Sequence, residues 1–299
     1  MLNLRGVIAP VVTTFGARDE SIDLDAFATN LRAYAAAGLS GVVVCGSTGE
    51  AALLEEAERR TLIERARDEL PSDVRLIVGT GAESTRLCVE RCRVASEHGA
   101  HAVLVVAPHY YSSAMTPEAL EAHYRRVADE SPLPVLLYNI PKYMHFALEP
   151  DLVARLSTHE NIGGMKDSAG DLKRLEGYIQ SQRESFTVLT GHGGTFAQAL
   201  ALGARGGILA VSLFAAEQTL EVFDRHTAGD PDAAAEAQRA ITPLAAEIVG
   251  RMGVAGVKAA MDRVGLVGGP VRMPLLPLGF EDSSRVDALL RDARVTTAV

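Results

Sequence analysis

Residues 102–107 read Ala-Val-Leu-Val-Val-Ala, an apolar run without a polar break, bounded by His101 on one side and Pro108-His109 on the other. A strand with one wet face alternates apolar and polar side chains. A run that is apolar at every position needs cover on both faces, which is the situation in a parallel sheet whose crossovers are helices. Runs of the same kind recur at Val7–Val12, Val42–Cys45, Leu76–Gly79, Pro134–Tyr138, Ile162–Met165, Thr187–Thr190 and Gly207–Val211. Amphipathic stretches lie between them, among them Leu24–Ala37, Leu53–Glu69, Thr85–His98 and Pro117–Glu130. In the last, Leu120, Tyr124 and Val127 share one helical face. Gly38 and Gly99 follow two of these stretches, where glycine ends helices.

Eight such strands alternating with helices predict an α/β chain folded as a (β/α)8 TIM barrel, an architecture of roughly 250 residues. A doubly wound open sheet is the competing arrangement, and it lacks here the glycine-rich dinucleotide fingerprint after its first strand. Beyond the eighth run the pattern becomes helix upon helix, with a break at Gly229-Asp230-Pro231. Helices are predicted over Asp232–Arg251, Val254–Val264 and Ser283–Ala293, with Val267–Leu278 as an extended connector. The expected division is a catalytic barrel over residues 1–215 and a helical extension over residues 216–299.

Composition narrows the function. The net charge of −9 over 299 residues leaves no basic stripe for a nucleic acid. No apolar run reaches the roughly 18 residues that span a membrane, and the first residues do not read as a signal peptide. Three cysteines give no disulfide framework and point to the cytoplasm. Cys88, Cys92 and Ala95 share a helical face and are expected as core filler, since no further zinc ligands lie nearby. Gly193-Gly194 reads as a tight turn opening a helix rather than a phosphate cradle.

In such a barrel the reacting groups sit where strands end. Those ends carry Gly46-Ser47-Thr48-Gly49-Glu50, His109-Tyr110-Tyr111, Tyr138-Asn139-Ile140-Pro141, Lys166-Asp167-Ser168 and Gly191-His192. The chain has only four lysines: Lys142, Lys166, Lys173 and Lys258. Only Lys166 directly follows an apolar strand, and a desolvated, neutral amine is what attacks a ketone. The alternative is a structural lysine paired with Asp167. Schiff-base chemistry also needs hydroxyl relays, for which Tyr138 and Tyr110 are candidates, although either could serve packing alone. The Ser47-Thr48-Gly49 turn offers hydroxyls and backbone N–H groups to a carboxylate.

GSTGE at Gly46–Glu50, APHYY at Ala107–Tyr111, YNIP at Tyr138–Pro141 and GMKDS at Gly164–Ser168 together resemble the dihydrodipicolinate synthase/N-acetylneuraminate lyase family. The tail GVKAAMDRVGLVGGPVRMPLLPL, Gly256–Leu278, is similar too. The resemblance implies that Lys166 forms the imine and that Tyr138 relays protons, with Ser47 in the relay and Tyr110 reaching a neighbouring subunit's site. Thr48 would hold the pyruvate carboxylate, and Gly49, Ser168 and Leu209 complete the expected substrate-binding set. It also implies a homotetramer of paired dimers, no metal or organic cofactor, and as partners a 2-oxo acid and an aldehyde.

One position departs from the synthase branch, which usually carries an arginine two residues after the YNxP proline; Tyr143 stands there. A phenol does not replace a bidentate guanidinium grip on a carboxylate. GTGAEST, PHYYSSAM, HENIGGMKDSAGD and VAGVKAAMD are closest in character to the 4-hydroxy-2-oxoglutarate aldolase branch. The expected activity is therefore a class I lyase of that type. The alternatives are 4-hydroxy-tetrahydrodipicolinate synthase, condensing pyruvate with aspartate semialdehyde, and a 2-oxo-acid dehydratase or hydratase-aldolase. From another class comes a silent 2-oxo-acid-binding protein.

Overall fold

Each of the eight apolar runs forms a strand, and each strand pairs in parallel with its sequence neighbour until the eighth returns to the first. The structure is a computed structural model and describes residues 3–297. In chain order the first half runs β1 Gly6–Pro10, α1 Leu24–Ala36, β2 Gly41–Val44, α2 Glu56–Glu69, β3 Arg75–Gly79, α3 Thr85–Glu97, β4 Ala102–Val106 and α4 Pro117–Glu130. There follow β5 Val135–Asn139, α5 Pro141–Met144, α6 Pro150–Ser157, β6 Ile162–Asp167, α7 Leu172–Ile179, β7 Thr187–Thr190, α8 Phe196–Leu202 and β8 Gly206–Ile208. The helices that complete the chain are α9 Ala216–Thr227, α10 Pro231–Pro243, α11 Gly253–Arg263 and α12 Phe280–Asp292. Closure is made by Gly6, Val7 and Ile8 pairing with Gly206, Gly207 and Ile208. The chain is thus a (β/α)8 barrel with a C-terminal helical part, and the open-sheet arrangement is excluded.

Local chemistry places the helices. Asp23, Ser84, Thr116, Asp171 and Asp230 each accept a hydrogen bond from a first-turn amide at a helix start, satisfying donors the helix leaves free. Pro117 and Pro231 then occupy the first turn, where a missing N–H costs nothing. Gly38 and Gly99 adopt φ of 84° and 79° just past α1 and α3, as a glycine terminus should. Cys88 and Cys92 are fully buried on α3, in the core position expected of them.

Several boundaries differ from the sequence expectation. The second helix begins at Glu56 rather than Leu53, because Glu50 turns left-handed and Ala51–Leu53 forms a short 3-10 turn first. The expected helix over Asp232–Arg251 changes pitch: α10 ends at Pro243 and Leu244–Arg251 is π-helical. Proline lacks the N–H for the i→i−4 bond, so the ladder is interrupted there. The last helix starts at Phe280, not Ser283.

The β5–β6 ladder bears most directly on the site. Val135 pairs with Ile162, but Leu136 pairs with Gly164, leaving Gly163 as an extra residue. In a period-two structure one extra residue reverses the faces of everything after it. The shift brings Lys166 opposite Tyr138 and Asp167 opposite Asn139. The strand also runs on to Asp167, two residues past its expected end, since Lys166 and Asp167 still pair with Leu189 and Thr190 of β7.

Candidate active site

Lys166 is 5% exposed and Tyr138 is 4% exposed. The Lys166 side-chain nitrogen Nζ donates to the Tyr138 hydroxyl at 3.3 Å and lies 4.4 Å from the centre of the same ring. Asp167 does not pair with it. Its carboxylate accepts from Asn139 Nδ2 at 2.7 Å and from the Ala169 amide at 3.3 Å. Among the described residues Lys166 makes no ion pair, so the structural pairing with Asp167 fails. Adjacent strand residues point to opposite faces. Burial pushes the Asp167 carboxyl up to about 6, against the lowering effect of the Asn139 bond.

The strand ends around the lysine are knitted together. Asn139 Oδ1 accepts from the Leu148 amide at 2.9 Å, and the Ser168 amide donates to the Asn139 carbonyl at 2.9 Å. The Gly191 amide donates to the Asp167 carbonyl at 2.6 Å. Gly191 itself leaves room for the lysine: a β-carbon there would lie 2.6 Å from Lys166 Cε and would overlap Ser168 Oγ. Ser168 Oγ therefore sits beside the lysine stem. The neighbouring His192 is wedged between Gly170 and Gly194 with Nδ1 3.0 Å from Thr195 Oγ1, and burial lowers its basicity.

Across the barrel, β2 ends in a turn held by Gly49 N–H to Gly46 C=O at 3.0 Å and Glu50 N–H to Ser47 C=O at 3.2 Å. Ser47 and Thr48 are partly exposed on it, while Gly49 is buried, with its carbonyl accepting from Thr13 Oγ1 at 2.7 Å. Left-handed residues bracket the turn, Cys45 at φ 53° and Glu50 at φ 56°. Such strain in non-glycine residues persists only when surroundings enforce it, and it clusters at functional sites. Leu209 follows β8 and is fully buried. Parallel closure puts all these strand ends at one mouth.

Tyr110 is not brought to the lysine within this chain. It is 77% exposed on the loop after β4, its ring edge-on to Tyr111 and its amide bonded to Glu83. Tyr143, on α5, is 42% exposed; burial and the nearby Tyr138 phenol hold its hydroxyl above the ordinary range. Lys142 beside it is tied to the Gly250 carbonyl at 2.8 Å.

Sequence reasoning missed two groups. Gly191 stood on the list of strand ends without a role, and only the packing shows what its missing side chain permits. Lys258, one of the three lysines that do not follow an apolar strand, is 1% exposed and pairs with Glu50 at 2.5 Å. The apolar company in Val-Ala-Gly-Val-Lys-Ala-Ala-Met was the available signal.

Residues 3–293 match the model of the dihydrodipicolinate synthetase family. A 4-hydroxy-tetrahydrodipicolinate synthase of Methanothrix thermoacetophila is 34% identical over 96% of each chain. An uncharacterized DapA-like lyase of Halobacterium salinarum is 36% identical over 97% of this chain and 94% of its own. The chloride-inhibited dihydrodipicolinate synthase of Acinetobacter baumannii, solved with pyruvate, superposes with a TM-score of 0.93 at 30% identity, over 98% of this chain and 100% of that one.

Proposed function

This chain belongs to the dihydrodipicolinate synthetase family, and from that premise we propose that Lys166 joins the ketone of pyruvate, or of a related 2-oxo acid, as a Schiff base. Membership makes it a pyruvate-dependent carbon–carbon lyase. The observation that carries the residue assignment is the buried Lys166 Nζ, 3.3 Å from one phenol and without a carboxylate partner among the described residues.

Lys166 Nζ attacks C2, and Tyr138 protonates the carbinolamine oxygen, which leaves as water. The resulting iminium withdraws electrons from C3, so transfer of a C3 proton to the Tyr138 phenolate gives an enamine and restores the phenol. The enamine carbon adds to an aldehyde, and hydrolysis frees the lysine; the reverse sequence cleaves the same bond. Thr48, Gly49 and Ser47 hold the carboxylate, with Ser47 also in the proton path, and Ser168 and Leu209 line the bound acid. Tyr110 reaches a neighbouring subunit's mouth in a homotetramer, a role its 77% exposure suits. The setting is the cytoplasm; among the described residues no helix is long and apolar enough to cross a membrane.

For the aldehyde, the synthase reaction with aspartate semialdehyde stands first, because the named relatives at 34–35% identity are synthases. The 4-hydroxy-2-oxoglutarate aldolase reading stands second. Tyr143 supports it, since a phenol occupies the place of a carboxylate-gripping arginine while Lys142 is engaged with Gly250.

Borohydride with pyruvate should add a reduced pyruvyl mass to Lys166 and nothing to Lys166→Ala. An unlabelled wild-type protein, beside a family member that labels, ends the imine reading. Parallel assays on aspartate semialdehyde and 4-hydroxy-2-oxoglutarate decide between the two aldehydes.

A further inference from the structure

The turn that presents Ser47 and Thr48 ends in Glu50, whose side chain is entirely buried. Both of its carboxylate oxygens are taken by the C-terminal part of the chain. Oε1 pairs with Lys258 Nζ on α11 at 2.5 Å, and Oε2 accepts from the Arg272 amide in the connector at 2.8 Å. Lys258 Nζ also donates to the Pro270 carbonyl at 2.7 Å, and its stem is sealed from water. The Phe15 ring stacks on both cations, 4.6 Å from Lys258 Nζ and 4.1 Å from the Arg272 guanidinium carbon. Arg272 reaches outward as well, forking onto both Glu58 oxygens and donating to the Leu53 and Glu20 carbonyls. Burial disfavours the charge on Lys258, and Glu50 opposes that effect.

A dry ion pair is a costly way to gain stability, because both ions lose their water, and an apolar pair of similar shape often serves as well. What a buried ionic cluster can supply instead is one fixed geometry. Here the fixed atom belongs to a left-handed residue, φ 56°, whose amide bonds the carbonyl of Ser47. A turn in that conformation needs its surroundings to hold it.

We propose that Lys258 and Arg272 are positioning residues for the 2-oxo-acid site: they fasten Glu50, and Glu50 fixes the Ser47–Gly49 turn that receives the substrate carboxylate. This rests on the Lys166 reading above. The C-terminal helical part is therefore a component of the substrate site, although it lies outside the strand ends.

The test uses the full chain and three variants, Lys258→Met, Arg272→Met and Glu50→Gln/Lys258→Met. Two readouts are taken: amide hydrogen exchange at residues 46–50 against residues 102–106, and the pyruvate concentration giving half-maximal borohydride labelling of Lys166. In Lys258→Met, exchange in the turn should quicken at least tenfold with β4 unchanged, and half-saturation should rise at least tenfold, with full labelling still reached at saturating pyruvate. The double variant should be no worse than Lys258→Met, since the fastening is already lost. Arg272→Met keeps the buried pair and the position-272 amide bond to Glu50 but frees the connector from Glu58, Leu53 and Glu20; it should show a smaller change in the same direction, and its result decides the matter should Lys258→Met not fold. Exchange in the turn at the wild-type rate overturns the proposal, as does half-saturation within twofold of wild type in a folded variant. A wild type that fails to label removes the Lys166 reading and this proposal with it, whereas normal labelling with unaffected variants removes this proposal alone.

Discussion

A β-carbon on Gly191 would come within 2.6 Å of Lys166 Cε, so the lysine occupies its place because its neighbour on β7's end has no side chain. Two of the atoms in the way, Lys166 Cε and Ser168 Oγ, belong to side chains that can swing aside, and the third, Ser168 Cβ at 3.1 Å, needs to give by only a few tenths of an ångström.

Gly191→Ala should therefore fold with stability within about 1 kcal/mol of wild type. Its labelling rate by pyruvate and borohydride should fall by roughly 10²-fold, the scale expected when a reacting group is displaced by about 1 Å. A variant that labels at the wild-type rate shows that the lysine does not need this space.

Tyr138→Phe keeps the ring beneath Lys166 Nζ and removes only the hydroxyl 3.3 Å away. Turnover should drop roughly 10²-fold, the usual contribution of general acid–base assistance, with little change in melting temperature. Unchanged kcat takes Tyr138 out of the proton path.

Asp167 has its carboxyl pushed up to about 6 by burial, so the folded protein keeps a proton that the unfolded chain has released. The group's stabilising contribution is full below about pH 4 and is lost as pH rises through about 6. Asp167→Asn, which can still accept from Asn139, should abolish this slope, worth about 2–3 kcal/mol between pH 4 and 7. Denaturant titrations at those two pH values measure it, and parallel behaviour of variant and wild type would contradict the burial argument.

His123 works in the opposite sense. Burial lowers its imidazole to about 4, Nδ1 lies 2.9 Å from Thr85 Oγ1, and Nε2 has no hydrogen-bond partner among the described residues. Its contribution is present above pH 6.5 and is lost as pH falls through about 4. His123→Phe preserves the edge-on packing against Tyr124. It should lose about 3 kcal/mol less than wild type between pH 7 and pH 4. An equal acid loss in both proteins would show that His123 is not the sensitive group.

The barrel was legible because doubly covered strands must be apolar throughout, a property of composition that survives without coordinates. Lys166 and Tyr138 were legible for the same reason: each stands where an apolar run meets a strand end. The Gly163 bulge that aligns them was not, because one extra residue in a glycine pair leaves no trace in hydropathy. The pitch change after Pro243 had a visible cause, but proline alone does not specify a π-helical continuation. The preference for a 4-hydroxy-2-oxoglutarate aldolase rested on motif character and on Tyr143, and the named relatives favour the synthase instead. Glu50 and Lys258 escaped notice as partners because 208 positions separate them in sequence, and charge pairing at that range is set by tertiary packing alone.

That separation also orders events in time. A ribosome that has delivered all eight strands has yet to make Lys258 or Arg272, so the emerging barrel passes through a stage in which Glu50 has no counter-charge. Translation thus sets the order in which these contacts form, and a chain interrupted before α11 would carry Lys166, Tyr110 and Tyr138 but not the two partners that hold the Glu50 carboxylate.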